Sequence, residues 1–160
     1  MKNAILSMAV AVALAGCGGS GTSTSTADIA QSQPVSASTS GDGGAQMNAI
    51  RAQAGLPALK RNAELERAAL AHARDMAANT FMSHTGTDGS DLRTRVERTN
   101  YRWCSLAENV ARGHSTDARA VESWRTSPGH YRNMTKTKAQ HYGLANVNGF
   151  RVLVIGASRC

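Results

Sequence analysis

The spacing of apolar residues predicts two helices at the start of the folded region. The stretch 46–54 reads as a short helix that ends before Gly55. After an extended connector, a longer helix is predicted from its N-cap Asn62 to about Ala78. Its apolar positions recur at helical spacing, at Leu65, Ala69, Ala73 and Met76.

Two further helices are predicted in the middle of the chain, and a new helix is predicted to begin directly after the second. Residues 81–90 read as a loop because Gly, Thr, Ser and Asp dominate them. A short helix is expected at 91–98, with Leu92 and Val96 facing inward. Another helix begins after the cap Thr116 and runs to about residue 126. Pro128 suits the first turn of a new helix.

Near the C-terminus the spacing of apolar residues changes from that of helices to that of strands. The apolar runs "HYGLANV" and "FRVLVIGAS" are separated by Asn148-Gly149, the strongest short hairpin signal. The earlier segment "CSLAENVARG" is too short and mixed to assign. Helices followed by strands indicate the α+β class.

The first residues have the pattern of an export signal. Residues 1–3 are short and cationic, and the apolar run 4–15 is shorter than the roughly 20 residues that span a bilayer. The small residues before Cys17 resemble the lipobox of bacterial lipoproteins. Residues 1–16 are therefore predicted to be a lipoprotein signal peptide, and Cys17 is predicted to be lipidated. An ordinary signal peptide ending near a cysteine is the alternative.

Composition divides the rest of the chain into a tether and a domain. Residues 17–45 are mostly Gly, Ser, Thr, Ala and Gln, which is typical of a flexible linker. Residues 46–160 have the length of one ordinary domain. The expected location is the bacterial cell envelope, lipid-anchored and extracytoplasmic. Gly18 replaces the Asp that favours inner-membrane retention in enteric bacteria, so the outer membrane is preferred.

The domain carries nearly all of the charge. The chain has 18 basic and 11 acidic residues, a formal net charge of +7. Nucleic acid is not expected as a partner, because an exported lipoprotein rarely meets it and aromatic residues are only 4%. Anionic envelope polymers or lipid head groups are the expected partners. An arginine-rich solvated surface without a specific partner is the alternative.

Two cysteines remain once Cys17 is assigned to the lipid. Cys104 and Cys160 in an exported domain predict one disulfide. It would tie the C-terminus to the middle of the chain, which the chain-entropy model values at roughly 4 kcal/mol.

Three residues are candidates for chemistry. His84 stands in a loop, Glu108 has apolar neighbours on both sides, and His130 follows a Pro-Gly break. His72 lies on an apolar helical stripe and is predicted to be a hydrogen-bonded core residue. Neither a zinc-protease motif H-E-x-x-H nor a nucleophile elbow G-x-S-x-G is present.

Four motifs in order resemble the CAP superfamily, which includes the cysteine-rich secretory and plant pathogenesis-related proteins. They are "SHTGTDGSDLRTRV", "LAENVARG", "AVESWRTSPGHYRNM" and "HYGLANV…FRVLVIGAS". Each is weak alone, but together they are specific and cover the domain from about Met47. The resemblance implies a three-layer α-β-α sandwich, ending in the hairpin, with a cleft on one face.

The resemblance also implies a set of cleft residues. Two histidines and two acids converge in the family's cleft, and His84, Glu108 and His130 match three of them. Ser127 stands at the fourth position, where many relatives have a glutamate. Glu122 is nearby but is expected on a different side of its helix.

This set leaves several functions open. His84, Glu108 and His130 could bind a divalent metal such as Zn²⁺, with Glu108 either as a ligand or as a residue that orients a histidine. A His–Glu–His cluster that ties loops together without metal is the alternative. The favoured function is a non-enzymatic module that binds metal or an envelope ligand. A metal-dependent peptide or ester hydrolase and a disulfide-stabilised scaffold are the competing hypotheses.

Overall fold

Nine elements make up the folded part of the chain that the structure describes. The computed structural model describes residues 41–160, and their side chains from residue 43 onward. The predicted signal peptide, Cys17 and most of the predicted linker lie outside the described residues. In chain order the elements are α1 (Gly41–Gln53), β1 (Lys60–Arg61), α2 (Ala63–Asn79), α3 (Leu92–Glu97), β2 (Ser105–Arg112), α4 (Asp117–Thr126), α5 (Pro128–Met134), β3 (His141–Val147) and β4 (Phe150–Ala157).

The four strands form one sheet in the order β1-β3-β4-β2. β1 runs parallel to β3, whereas β4 pairs antiparallel with both β3 and β2. Val147 pairs with Phe150 across the turn, so β3 and β4 form the predicted hairpin. Asn148 and Gly149 both have positive φ, 49° and 84°, which a two-residue hairpin turn of this kind requires.

The sheet is covered by helices on both faces. Every residue of β4 is buried, and its side chains alternate between two apolar cores. Val152 and Val154 pack in the core that contains α2 and α3. Leu153 and Ile155 pack in the core that contains α1 and α4. The predicted α+β class and three-layer sandwich are confirmed.

The predicted starts of α2, α4 and α5 are also confirmed. The side chains of Asn62 and Thr116 accept hydrogen bonds from the backbone N–H groups of Leu65 and Arg119, at 2.9 and 3.2 Å. Pro128 occupies the first turn of α5. These signals are local, because a cap needs only the three residues that follow it.

Helix α1 begins at Gly41 rather than at the expected residue 46. Glycine is a poor helix former, so nothing in the local sequence favours extending the helix. The structure supplies a reason, since a Cβ at Gly43 would lie 2.6 Å from Leu144 Cδ2, and one at Gly44 would collide with the Tyr142 hydroxyl. These glycines let α1 lie close against β3.

The segment that sequence left unassigned forms β2. Its side chains alternate, so Glu108 faces the α2–α3 layer together with Val110, and Asn109 faces the α4–α5 layer together with Ala111. Among the described strands, β2 pairs only with β4 and therefore lies at an edge of the sheet.

Two further findings concern the ends of the domain. Cys104, just before β2, forms the predicted disulfide with Cys160, which follows β4. Within residues 41–160, no helix has the length and apolar character needed to cross a lipid bilayer.

Candidate functional site

Residues from both helical layers meet at the outer edge of β2. Asn133 of α5 donates through Nδ2 to the carbonyl oxygen of Glu108 at 3.1 Å and to Oδ1 of Asn109 at 2.9 Å. Asn109 in turn donates to the carbonyl oxygen of His130 at 3.1 Å. These bonds satisfy backbone groups at the edge strand and hold α5 against it.

His84 and Glu108 are in direct contact. Nδ1 of His84 lies 2.8 Å from Oε1 of Glu108. Because a carboxylate oxygen accepts, Nδ1 carries a proton, and in the neutral ring Nε2 is left as an acceptor. The His84 side chain is 59% exposed and that of Glu108 is 3% exposed. The site therefore presents an accessible imidazole on a buried carboxylate.

Arg95 completes this cluster, and sequence reasoning did not single it out. Its Nη2 donates to Oε2 of Glu108 at 2.7 Å and to the carbonyl oxygen of His84 at 3.1 Å, and Nη1 donates to that of Ser90 at 2.8 Å. Arg95 is only 5% exposed. The sequence could have indicated that Arg95 is buried, because Arg95 follows Leu92 by three positions and lies on the inward face of α3.

His130 lies on α5 beside Trp124, with 6.5 Å between the ring centroids. Burial lowers the pKa of the His130 imidazole, and the charge of nearby His84 lowers it further. The structure thus brings His130 into the electrostatic neighbourhood of His84. His84 bonds to Glu108 on one side of β2, and the backbone of His130 bonds to Asn109 on the other.

The two residues discussed for a fourth position have different surroundings. Ser127 ends α4 and precedes α5, and its side chain makes no capping hydrogen bond. Glu122 forms an exposed ion pair with Arg125, three residues along the same helix. Glu122 is therefore engaged by a residue of its own helix.

The donor set fits a metal ion only in part. The two oxygens of Glu108 are bonded to His84 and Arg95, which leaves imidazole nitrogens as the available donors. Among residues 43–160, no group of three His, Cys, Asp or Glu side chains is arranged to hold a metal ion. Structural and catalytic zinc sites ordinarily use three or four protein ligands. Glu108 therefore fits the orienting role better than the ligand role.

A second carboxylate near His84, that of Asp91, is engaged through one oxygen only. Asp91 borders the same surface, and its Oδ1 accepts from N and Oγ1 of Thr94 at 2.8 Å each, where it caps α3. A general base needs a lone pair directed at the proton that it removes. Glu108 is buried with both oxygens bonded, whereas Oδ2 of the exposed Asp91 makes no hydrogen bond among the residues that the structure describes.

An open pocket of about 520 Å³ adjoins His84 and Glu108. Its wall includes Trp103, which is half-buried, and Arg93, whose guanidinium lies 5.2 Å from the centre of the Trp103 ring. The pocket therefore places a cation and an aromatic surface beside the accessible imidazole.

Comparisons with known proteins show the family of the chain. The sequence profile described as "Cysteine-rich secretory protein family" (CAP) matches residues 45–151. The chain is 29% identical over 97 residues to the uncharacterized membrane protein YlbC of Bacillus subtilis, covering 61% of this chain and 28% of that protein. It is 26% identical over 100 residues to the uncharacterized protein YkwD of the same organism, covering 62% and 39%. The chain thus spans well under half the length of these relatives.

Solved structures have the same fold. An extracellular protein from Bacillus anthracis containing an SCP domain has a TM-score of 0.67 at 26% identity, covering 69% of this chain and 37% of that one. An outer surface protein of Borrelia burgdorferi has a TM-score of 0.66 at 21% identity, covering 72% of this chain and 90% of that one. At this identity the second match bears on the fold alone.

Proposed function

The chain belongs to the cysteine-rich secretory protein (CAP) family, and on that premise we propose that its domain is a binding module of the bacterial cell envelope. The module engages its ligand at the cleft of His84, Glu108 and His130. The observation that carries this proposal is the hydrogen-bonding of Glu108, whose oxygens are held by His84 and Arg95. A carboxylate held in this way positions an imidazole and does not serve as a base.

Two residues of the pocket beside His84 support an anionic ligand, and the carboxylate of Asp91 at the same wall is used to cap α3. Arg93 and Trp103 line the pocket next to His84, and the whole chain has a formal net charge of +7. Cationic and aromatic groups side by side suit ligands that carry both negative charge and apolar or ring surface. Anionic envelope polymers and lipid head groups have this chemistry.

An envelope location is supported by the N-terminal residues and by the relatives. The chain starts with the lipoprotein-like signal before Cys17, and the similar proteins include one named a membrane protein and one named an extracellular protein. Lipidation of Cys17 would hold the domain at the outer membrane through a flexible tether. The test is detergent partitioning, in which Cys17→Ser moves the protein from the detergent phase to the aqueous phase. Equal partitioning of both proteins would refute the anchor.

Ligand binding is tested with the Cys17→Ser chain, so that the lipid does not contribute to retention. We expect it to co-sediment with purified peptidoglycan or with vesicles of anionic lipid, and to be released by salt. Arg93→Ala and His84→Ala should weaken retention. Arg74→Ala, an exposed arginine outside this pocket, is the matched control. No retention at moderate salt, or an equal loss in all three variants, would refute the proposal.

A second proposal is weak zinc binding by the two histidines. The contact from His84 Nδ1 to Glu108 resembles the carboxylate–histidine pairs that fix the tautomer of metal-bound histidines. His84 Nε2 and the His130 ring would hold the ion, and Glu108 would orient His84. A bound zinc would supply a Lewis acid to the cleft.

Zinc titration of the Cys17→Ser chain by calorimetry tests this proposal. Binding should be lost in His84→Ala and His130→Ala and be weakened about 10–100-fold in Glu108→Gln. His114→Ala is the control, since His114 pairs with Ser123. Unchanged affinity in both histidine variants would exclude the site without affecting the envelope-ligand proposal.

A further inference from the structure

A group of exposed basic residues lies on α5 and on the turn that follows it. Arg132 belongs to α5, and Lys136 and Lys138 come directly after that helix. None of the three forms an ion pair within residues 43–160. From Ser123 to the C-terminus the chain contains no aspartate or glutamate. Neighbours in sequence therefore do not compensate these three charges.

The acidic side chains of the adjoining elements do not compensate them either. Helix α5 packs on α4 and β2. Every aspartate and glutamate of those two elements already pairs with an arginine, in the pairs Asp117–Arg151, Glu122–Arg125 and Glu108–Arg95. Uncompensated charges of one sign that lie close together create a potential that attracts a partner of the opposite sign. The surface of α5 therefore favours an anionic partner.

An exposed aromatic ring lies next to these cations. Tyr131 is 36% exposed and directly precedes Arg132 in α5. The pKa of Arg125 is raised mainly by Glu122 and also by Tyr131, which places Tyr131 near the end of α4. Tyrosine is enriched at membrane–water interfaces, where its ring lies at the level of the lipid head groups. The combination of this ring with unpaired cations favours an anionic bilayer over a polymer recognised by charge alone.

The chain enters the domain through the same helical layer. Helix α1 is the first element, and its residues Met47 and Ile50 share one core with Trp124 of α4 and Met134 of α5. The predicted linker and lipid anchor precede α1 in sequence. They are therefore connected to the domain through the layer that carries the exposed cations.

We propose that the domain docks onto the surface of an anionic lipid bilayer through the α5 basic surface, which consists of Tyr131, Arg132, Lys136 and Lys138. This docking rests on the proposed envelope location but not on the cleft, since none of the four residues lines the pocket beside His84. It orients the tethered domain with α5 towards the lipid. Helices α2 and α3, on the other face of the sheet, then face away from the membrane.

Two double variants remove the same charge from different parts of the domain. The α5 variant, Arg132→Gln/Lys136→Gln, removes two cations of the α5 basic surface. The control variant, Lys60→Gln/Arg74→Gln, removes one lysine and one arginine that are exposed and unpaired on β1 and α2. Both are made in the Cys17→Ser chain, so that a lipid anchor does not contribute to binding. All four substituted residues are exposed, so both variants are expected to fold.

Binding is measured by co-sedimentation with vesicles of phosphatidylglycerol and phosphatidylcholine, and with vesicles of phosphatidylcholine alone. The Cys17→Ser chain should bind only the vesicles that contain phosphatidylglycerol. The α5 variant should bind them at least about tenfold more weakly than the control variant, because each cation near an anionic surface adds to the attraction. Equal affinity of the two variants, or no binding of the Cys17→Ser chain, would overturn the docking.

Arg93→Ala, measured in parallel, separates this proposal from the cleft proposal. Weaker vesicle binding in the α5 variant, with unchanged binding in Arg93→Ala, would support the docking, and retention on peptidoglycan would then test the cleft. Weaker vesicle binding in Arg93→Ala alone would support the cleft and overturn the docking. Loss of peptidoglycan retention in the α5 variant, with unchanged vesicle binding, would also overturn it, because the partner would be a polymer.

The orientation is tested with an environment-sensitive fluorescent label. Tyr131→Cys and Ala78→Cys each supply one exposed thiol, the first on α5 and the second on α2. On addition of saturating phosphatidylglycerol vesicles, the label at position 131 should brighten and shift to the blue, and the label at position 78 should not change. A response at position 78 alone, or at neither position, would overturn the orientation and with it the docking surface.

Discussion

Arg95 Nη2 lies 2.7 Å from Glu108 Oε2, and both side chains are almost completely buried. The two residues come from different elements, α3 and β2, and the ion pair joins them beneath the exposed His84. Glu108 thereby contacts a guanidinium through one oxygen and an imidazole through the other. The position of the His84 ring consequently depends on a salt bridge that is shielded from solvent.

Removing Arg95 is expected to destabilise the domain. Arg95→Met leaves Glu108 buried without its cation, and breaking a buried pair in this way costs about 3–5 kcal/mol. The free energy of unfolding from urea denaturation measures the effect. Arg98→Met is the control, because Arg98 pairs with Asp88 on the surface and its loss should cause little change.

The double variant Arg95→Met/Glu108→Leu separates the ion pair from the space it fills. Replacing both partners with apolar residues of similar size is often close to neutral. The double variant should therefore be more stable than Arg95→Met alone. The double variant would contradict this expectation if it lost as much free energy of unfolding as Arg95→Met and Glu108→Leu lose separately when added together. That result would mean that Glu108 stabilises the fold independently of Arg95.

His130 is expected to make stability sensitive to acid. Its pKa in the folded protein is below the ordinary value of about 6.5, which the unfolded chain retains. Between those two values the unfolded state binds more protons. The contribution of His130 is thus fully present above a pH of about 6.5 and decreases as the pH falls.

Urea denaturation in the presence of EDTA tests the predicted decrease of stability as the pH falls. Between about pH 7.5 and about pH 5.5, on either side of the unfolded pKa, the wild type should lose more stability than His130→Gln. EDTA removes any contribution from bound metal. Parallel losses in the two proteins would contradict the assigned direction of the pKa shift.

Loss of the disulfide should lower stability through the unfolded chain. Cys104 and Cys160 are 56 residues apart in sequence, for which the chain-entropy model gives about 4 kcal/mol. Both residues are exposed, so a thiol reductant should reach the bond in the folded protein. Urea denaturation of Cys104→Ser/Cys160→Ser and of reduced wild type should give the same loss. If reductant also destabilised the double variant, the loss in reduced wild type would have a cause other than this disulfide.

Gly143 is expected to tolerate no side chain. A Cβ there would lie 2.6 Å from Glu66 Cα and would collide with the backbone of Leu65, because α2 packs directly on β3 at this point. Gly143→Ala should therefore destabilise by at least about 1–3 kcal/mol. Thermal and urea unfolding measure the change.

Gly129 provides the matched control for that substitution. It lies in α5, and the nearest neighbour of an added Cβ would be the tip of Arg132 at 3.9 Å. Gly129→Ala should be neutral or stabilise by about 0.5–1 kcal/mol, since alanine favours a helix. Similar losses at both positions would mean that packing on α2 is not the cause.

Sequence alone determined those features that depend on a few neighbouring residues. The caps Asn62 and Thr116, the helix restart at Pro128 and the hairpin turn at Asn148-Gly149 all use interactions within about four positions. The apolar spacing of α2 likewise placed His72 in the core, where it bonds to the carbonyl oxygen of Ser83. The motif order identified the family, and the resemblance predicts that His84, Glu108 and His130 share one cleft.

Tertiary structure alone decided how that site is held. β2 had no recognisable strand pattern because it buries Glu108 and Asn109, and these polar side chains are buried only because residues distant in sequence satisfy them. The close approach of α1 to β3 at Gly43 and Gly44 is likewise a tertiary contact. Burial of a charge depends on its partner, and Arg95 meets Glu108 only after α3 and β2 have packed together.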